Sequence, residues 1–124
     1  MTHFTEVPYL LRLAETLPGD PQPDDLGPLY AAVAQHQATA MGRDVYGSDW
    51  LKAAALLHTL ARLPALEHSN RAFAWAAAAG FLAINDHTLQ YKPADAVTLA
   101  KDVSTGQLGV QQTASVLRSW QVDG

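Results

Sequence analysis

Apolar residues recur at helical spacing along most of the chain, and this pattern predicts six helices. The predicted helices cover about residues 6–17, 26–40, 49–62, 70–85, 93–105 and 110–120. Residues 87–91 are expected to form a short extended piece, and residues 121–124 a frayed tail. No two segments show the paired apolar and polar alternation of a β-hairpin, so the fold is expected to be all-α.

The helix predicted at Asn70–Asn85 differs from the others because it is apolar on every side from Ala72 to Ile84. A helix of this kind is typical of the centre of a protein, and its alanines allow neighbouring helices to approach closely. Pro64 disfavours helical geometry at Leu63, so a loop should precede this helix. The sequence therefore predicts a compact bundle of about six helices around a buried central helix at about Asn70–Asn85.

Length and composition narrow the possible classes of protein. A chain of 124 residues with 48% hydrophobic and 16% charged residues fits a single domain over residues 1–124. A formal net charge of −4 and the lack of a Lys/Arg cluster argue against binding to nucleic acid. The chain has no cysteine, which excludes disulfides and thiolate metal sites. There is no signal-peptide pattern and no apolar segment long enough for a membrane, so a cytoplasmic protein is expected.

The first turn of the predicted central helix has the features of an anion site. A helix start leaves backbone N–H groups without partners, and Ser69, Asn70 and Arg71 add side-chain donors there. Trp50, Trp75 and Trp120 are either lining residues of an apolar groove or parts of a helical core.

None of the five histidines has a spacing that indicates a metal site. His36 and His58 lie on predicted helices and are interpreted as structural, the former at a helix edge. His3 and His87 are expected to face solvent.

The residues from Pro64 to Ala72 resemble the signature of the Fic/Doc family, which reads His-x-Phe-x-(Asp/Glu)-(Gly/Ala)-Asn-(Gly/Lys)-Arg. The family's asparagine is kept at Asn70, and a basic residue is kept at Arg71. The positions on which the signature falls are Pro64, Leu66, His68, Ser69, Asn70, Arg71 and Ala72. The helices before and after it are also similar, and the resemblance to the short Doc-type toxins of bacterial toxin–antitoxin modules covers nearly the whole chain.

The departures from the signature fall on the positions that carry the family's chemistry. In that family the histidine is the general base, the acidic residue holds magnesium against the nucleotide phosphates, and the last arginine pairs with the transferring phosphate. Pro64 cannot accept a proton, His68 is a poor ligand for so hard a cation, and Ala72 has no donors. The resemblance therefore implies an impaired or inactive site, with ATP or GTP and magnesium as cofactors only if transfer activity remains.

Three functions are consistent with these residues. The first is a Doc-like toxin-fold component that acts by binding a protein: an antitoxin-like partner, a homologous active partner or a translation component. The second is a divergent transferase that moves phosphate or AMP from a nucleotide to a protein hydroxyl, with His68 as a relocated base beside Glu67. Relatives of the Doc type phosphorylate elongation factor Tu, so a translation factor is the implied target. The third is a repurposed enzyme or binder of an anionic small molecule.

Overall fold

The computed structural model describes residues 2–122, which form six helices and one small sheet. The helices are α1 (Val7–Glu15), α2 (Gly27–His36), α3 (Asp49–Arg62), α4 (Asn70–Ile84), α5 (Pro93–Ser104) and α6 (Val110–Ser119). The strands are β1 (Thr39–Ala40) and β2 (Arg43–Asp44). The predicted all-α class is therefore confirmed.

The helix ends follow local chemistry. Proline occupies the first turn of α1, α2 and α5, where its missing N–H leaves no hydrogen bond unmade. The hydroxyl of Ser48 caps α3 by accepting a hydrogen bond from the Leu51 N–H at 3.1 Å. After α5, Gly106 adopts a φ of +82°, the left-handed conformation that favours glycine at the end of a helix.

The most enclosed helix is α3 and not the alanine-rich α4. Helix α3 packs against α2, α4, α5 and α6, and every residue from Trp50 to Leu60 is buried except Leu51 and His58. Helix α4 packs against α3, α5 and α1 but leaves Ala72 and Ile84 exposed. An exposed alanine costs little free energy because its side chain has little apolar area. An alanine-rich helix can therefore leave one side to solvent, and the predicted burial on all sides of α4 is corrected accordingly.

A small hairpin replaces the predicted last turn of α2. The helix ends at His36, and Thr39 and Ala40 pair with Asp44 and Arg43 in antiparallel register. The two turn residues, Met41 and Gly42, both have positive φ, which suits a two-residue hairpin turn. The expectation that the chain has no strand pair is thus wrong, because two-residue strands are too short to show an alternating pattern.

A buried lysine of α3 holds this hairpin. The side chain of Lys52 is only 2% exposed, and its ammonium group donates to Asp44 Oδ2 at 3.0 Å and to the carbonyl of Tyr46. A charge in this position is tolerated because it is paired and hydrogen-bonded.

The predicted extended piece at residues 87–91 is confirmed. The N–H of Gln90 donates to the carbonyl of Trp120 at 2.8 Å, and the N–H of Val122 donates to the carbonyl of Thr88 at 2.9 Å. Gln121 and Val122 are therefore not frayed, which corrects the prediction for this part of the tail. Asp123, Gly124 and Met1 lie outside the described residues.

Over residues 2–122, no helix combines the length and the apolar character that crossing a membrane requires.

Gly80 of α4 lies in close contact with Tyr9 of α1, and a larger side chain at this position should lower the stability of the fold. A Cβ at Gly80 would lie 2.6 Å from the hydroxyl oxygen of Tyr9. We expect the overlap in Gly80→Ala to lower the free energy of unfolding by about 1–3 kcal/mol. The gain of about 1 kcal/mol from replacing a glycine inside a helix offsets part of this loss. Tyr9→Phe removes the hydroxyl, and the ring carbon that carried it lies 3.7 Å from the added Cβ, an ordinary contact distance. The double variant Tyr9→Phe/Gly80→Ala should therefore be at least as stable as the wild type, because alanine favours the helix more than glycine does. Urea denaturation of the two single variants and the double variant tests this, and additive effects would contradict the contact.

Candidate functional site

The loop between α3 and α4 contains the signature positions, and it is built as the sequence predicts. Leu63 adopts an extended conformation, with φ −113° and ψ 103°, directly before Pro64. Ala65 and Leu66 are buried, whereas Pro64 and the residues from Glu67 to Ser69 are exposed. Leu66, at the signature's aromatic position, therefore serves as an apolar anchor for the loop.

Asn70 closes this loop with its side-chain amide. Its Oδ1 accepts hydrogen bonds from the N–H groups of Ala65 and Leu66, both at 3.0 Å, and its Nδ2 donates to the carbonyl of Leu66 at 3.0 Å. Two buried backbone donors are satisfied in this way. The retained asparagine thus has a clear role in loop geometry, and its contact with an anion stays a prediction.

The segment between α1 and α2 forms one wall of the site, although the sequence indicated only a connecting loop. The N–H groups of Asp24 and Asp25 donate to the carbonyl of Ala65 at 2.8 and 3.0 Å. The N–H of Glu67 donates to the carbonyl of Gln22 at 3.0 Å, and the Glu67 carboxylate accepts from the N–H of Gln22 at 3.1 Å. These bonds join residues 40 or more positions apart, so no local sequence signal could have located them.

His68 and Ser69 contact each other at the start of α4. His68 Nδ1 and Ser69 Oγ share a hydrogen bond of 2.8 Å, while His68 Nε2 lies 4.0 Å from Glu67 Oε1. The imidazole also lies against Gly19, where a Cβ would come within 3.1 Å of the ring. Ser69 has a left-handed conformation with φ 65° and does not cap the helix with its side chain. The predicted pair of His68 and Glu67 is therefore brought together, but Ser69 is the nearer partner of the imidazole.

Arg71 and Ala72 open onto an apolar groove of about 450 Å³ between α4 and α5. The other lining residues are uncharged: Trp75, Tyr91, Pro93, Ala96, Val97 and Ala100. Arg71 is exposed and is the one charged residue among those that line the groove within residues 2–122. The last signature position, Ala72, thus belongs to an apolar surface.

The three tryptophans separate into two groups. Trp75 lines the groove and packs edge-on against Tyr91 and Trp120, with ring centroids 5.1 and 5.9 Å apart. The ring of Trp120 also stacks on the ring of Tyr91, with centroids 5.4 Å apart. Trp50 is buried elsewhere in the core, against His87. The sequence left the three tryptophans as either groove or core residues, and only Trp75 lines this groove.

Of the other histidines, His3 is exposed as predicted, and His36, His58 and His87 take structural roles. His58 Nε2 donates to the carbonyl of Leu108 at 3.1 Å, and His87 Nε2 donates to Asp49 Oδ2 at 2.8 Å. His87 is partly buried, so its predicted solvent position is wrong. His36 is structural as expected, but it lies in the core and not at a helix edge. Within residues 2–122, no group of three His, Asp or Glu side chains is placed to hold a metal ion.

The comparison with known proteins supports the resemblance to a Doc-type toxin. No protein-family model matches the chain. A segment of 61 residues, 49% of this chain, is 57% identical to a protein of Mycolicibacterium smegmatis named Toxin Doc. The match covers 47% of that protein, so the chain spans about half the length of this curated relative. The resemblance to a Doc-type toxin is thereby confirmed.

Removal of the Asn70 amide should loosen the loop. Asn70→Ala leaves the buried N–H groups of Ala65 and Leu66 without their acceptor, and we expect a loss of about 1–3 kcal/mol in the free energy of unfolding. The neighbouring exposed Arg71→Ala should change it by about 0.5 kcal/mol or less. Urea denaturation of both variants measures the difference, and equal stabilities would contradict a loop-closing role for Asn70.

Proposed function

We propose that this chain is a Doc-like, toxin-fold component of a toxin–antitoxin system that has no phosphate-transfer activity and acts by binding a protein. The identity of 57% over 61 residues with a protein named Toxin Doc supports the toxin-fold assignment. The observation that carries the binding function is the apolar groove beside Ala72, at the place where the signature would supply a phosphate-binding arginine.

The loop residues support the lack of transfer. The side chain of Pro64 has no titratable group that could accept the proton of a target hydroxyl. Phosphate transfer depends on positioned charges around the phosphate, and Ala72 supplies none. His68 lies four residues further along the loop, with its ring against Gly19 and Nδ1 bonded to Ser69. A base displaced along the loop by this distance loses the alignment on which proton transfer depends.

The groove favours an amphipathic helix of an antitoxin-like protein as the partner. Trp75, Val97 and their neighbours offer apolar surface between two helices, into which the apolar side of a third helix can pack. Arg71 at the groove provides a cation without an acidic lining residue beside it among those described, so a carboxylate on the partner helix would complement it. Aromatic residues such as Trp75 are the usual energetic centres of such interfaces.

The substitution Val97→Asp tests whether the partner binds in the groove. Val97 is 70% exposed, so the substitution should leave the fold intact while placing a carboxylate in the apolar lining. We expect the Kd for the protein encoded beside this gene to rise at least about tenfold, as measured by calorimetry. Val45→Asp is the matched control, because Val45 is 52% exposed and does not line the groove. Equal affinities of the two variants, or no binding by the wild-type protein, would contradict the proposed partner.

The lack of transfer is tested with labelled nucleotide. The wild-type chain, incubated with radiolabelled ATP or GTP, magnesium and elongation factor Tu, should transfer no label above a blank without the chain. His68→Ala should leave this result unchanged. Label that disappears in His68→Ala would overturn the proposal in favour of the divergent transferase. Nucleotide binding without turnover, lost in Arg71→Ala, would favour the binder of anionic small molecules.

A further inference from the structure

Residues 2–6, which we call the strap, cross from α3 and α4 to α2 before α1 begins. The strap is held by hydrogen bonds to side chains of the helices beneath it. Thr2 Oγ1 donates to Asp49 Oδ1 at 2.9 Å, the His3 N–H to Asn85 Oδ1 at 2.7 Å, and the Thr5 N–H to His36 Nε2 at 3.1 Å. Each anchor is a separate side chain, so the strap can be released without breaking a helix.

The anchor at His36 depends on one protonation state. Its Nδ1 donates to the carbonyls of Val33 at 2.6 Å and Ala32 at 3.1 Å, so the ring proton is on Nδ1. Nε2 then has a free lone pair, and this lone pair accepts the Thr5 N–H. His36 is only 1% exposed while the strap lies over it, the arrangement that we call closed.

The surroundings of His36 offer little to stabilise a second proton. Phe4 of the strap and Phe81 of α4 meet the ring edge-on, with centroids 5.4 and 5.6 Å away. Burial is the largest influence on the pKa of His36 and lowers it. The carbonyls of Val33 and Ala32 and the charge of Glu6 on the strap raise the pKa in part. The charge of Lys52 on α3 lowers it further. The closed strap therefore favours the neutral ring.

We propose that the strap is a proton-released latch, which opens when a proton from solvent binds His36 Nε2. The proton occupies the lone pair, so the Thr5 N–H loses its acceptor and faces another N–H group. When the strap detaches, water reaches the imidazolium, and the open state becomes the one that holds the proton. Asp49 and His87 at the far end do not oppose this, because Asp49 Oδ1 accepts from Thr2 whether His87 is neutral or charged.

The direction of the pH dependence follows from proton linkage. The open strap exposes His36, whose pKa then returns towards its ordinary 6.5, whereas the closed strap has a lower pKa. Closure is fully stable above about pH 6.5 and weakens as the pH falls, because the open state binds more protons. The open population should rise about tenfold per pH unit below this value until the pKa of the closed state is reached.

Hydrogen exchange of the Thr5 amide tests the latch. Between about pH 6.5 and pH 5.5, its protection, corrected for intrinsic exchange, should fall by up to about fivefold, and at every pH it should stay well below the protection at Leu56 in the centre of α3. In His36→Gln the amide oxygen can accept the Thr5 N–H but cannot be protonated in this range, so the fall should disappear. His87→Gln is the matched control and should keep the wild-type pH dependence.

Three results would overturn the latch. They are constant protection at Thr5 in the wild-type chain, an undiminished pH dependence in His36→Gln, and equal protection at Thr5 and Leu56, which would indicate that Thr5 exchanges only through global unfolding. If His36→Gln does not fold, NMR titration of the His36 ring in the wild-type chain decides instead. The fall in Thr5 protection must then occur between about pH 6.5 and the pH at which the ring titrates, and a fall outside this range would contradict the latch.

Discussion

The close packing of α3 on α4 is the constraint on which the rest of the structure depends. Both helices present small buried side chains to the core, among them Ala53 and Ala54 of α3 and Ala74, Ala77 and Ala78 of α4. Small side chains allow helix backbones to approach closely and fill the interior without voids. The loop of residues 63–69 must therefore turn within a short distance while part of its backbone is buried. The Asn70 amide makes this possible because it hydrogen-bonds to the N–H groups of Ala65 and Leu66 and to the carbonyl of Leu66.

The loop before α4 keeps the asparagine of the Fic/Doc signature that it resembles, and it differs from that signature at Pro64, His68 and Ala72. Asn70, Leu66 and the wall formed by residues 22–25 maintain the loop through hydrogen bonds and burial, none of which needs a catalytic group. Pro64 and Ala72 stand where the resembled signature has its histidine and its last arginine, and the surface beside Ala72 is apolar. A framework held by structural residues can survive the loss of its reacting groups, which is why a binding function is compatible with this fold.

Histidines with the same chemistry take different roles here because their surroundings differ. His36 accepts a backbone N–H in the core, His58 donates to a carbonyl, and His87 donates to a carboxylate. The first of these bonds requires the neutral ring, whereas the last two are kept in either protonation state. The attachment of the strap therefore depends on an uncharged His36 ring, whereas the packing of the core helices does not.

Local features of this protein were predictable from the sequence alone, and features that join distant residues were not. Helix ends at Pro28, Ser48, Pro93 and Gly106 follow from dihedral limits and caps that act within one turn. That Pro64 cannot act as a base is equally local, since the side chain of proline has no titratable group in any fold. The central place of α3, the docking of residues 22–25 on the loop and the strap bond to His36 were decided by tertiary structure. Each depends on which surfaces meet across the bundle, and that choice rests on burial and hydrogen bonding between segments that are far apart in the chain.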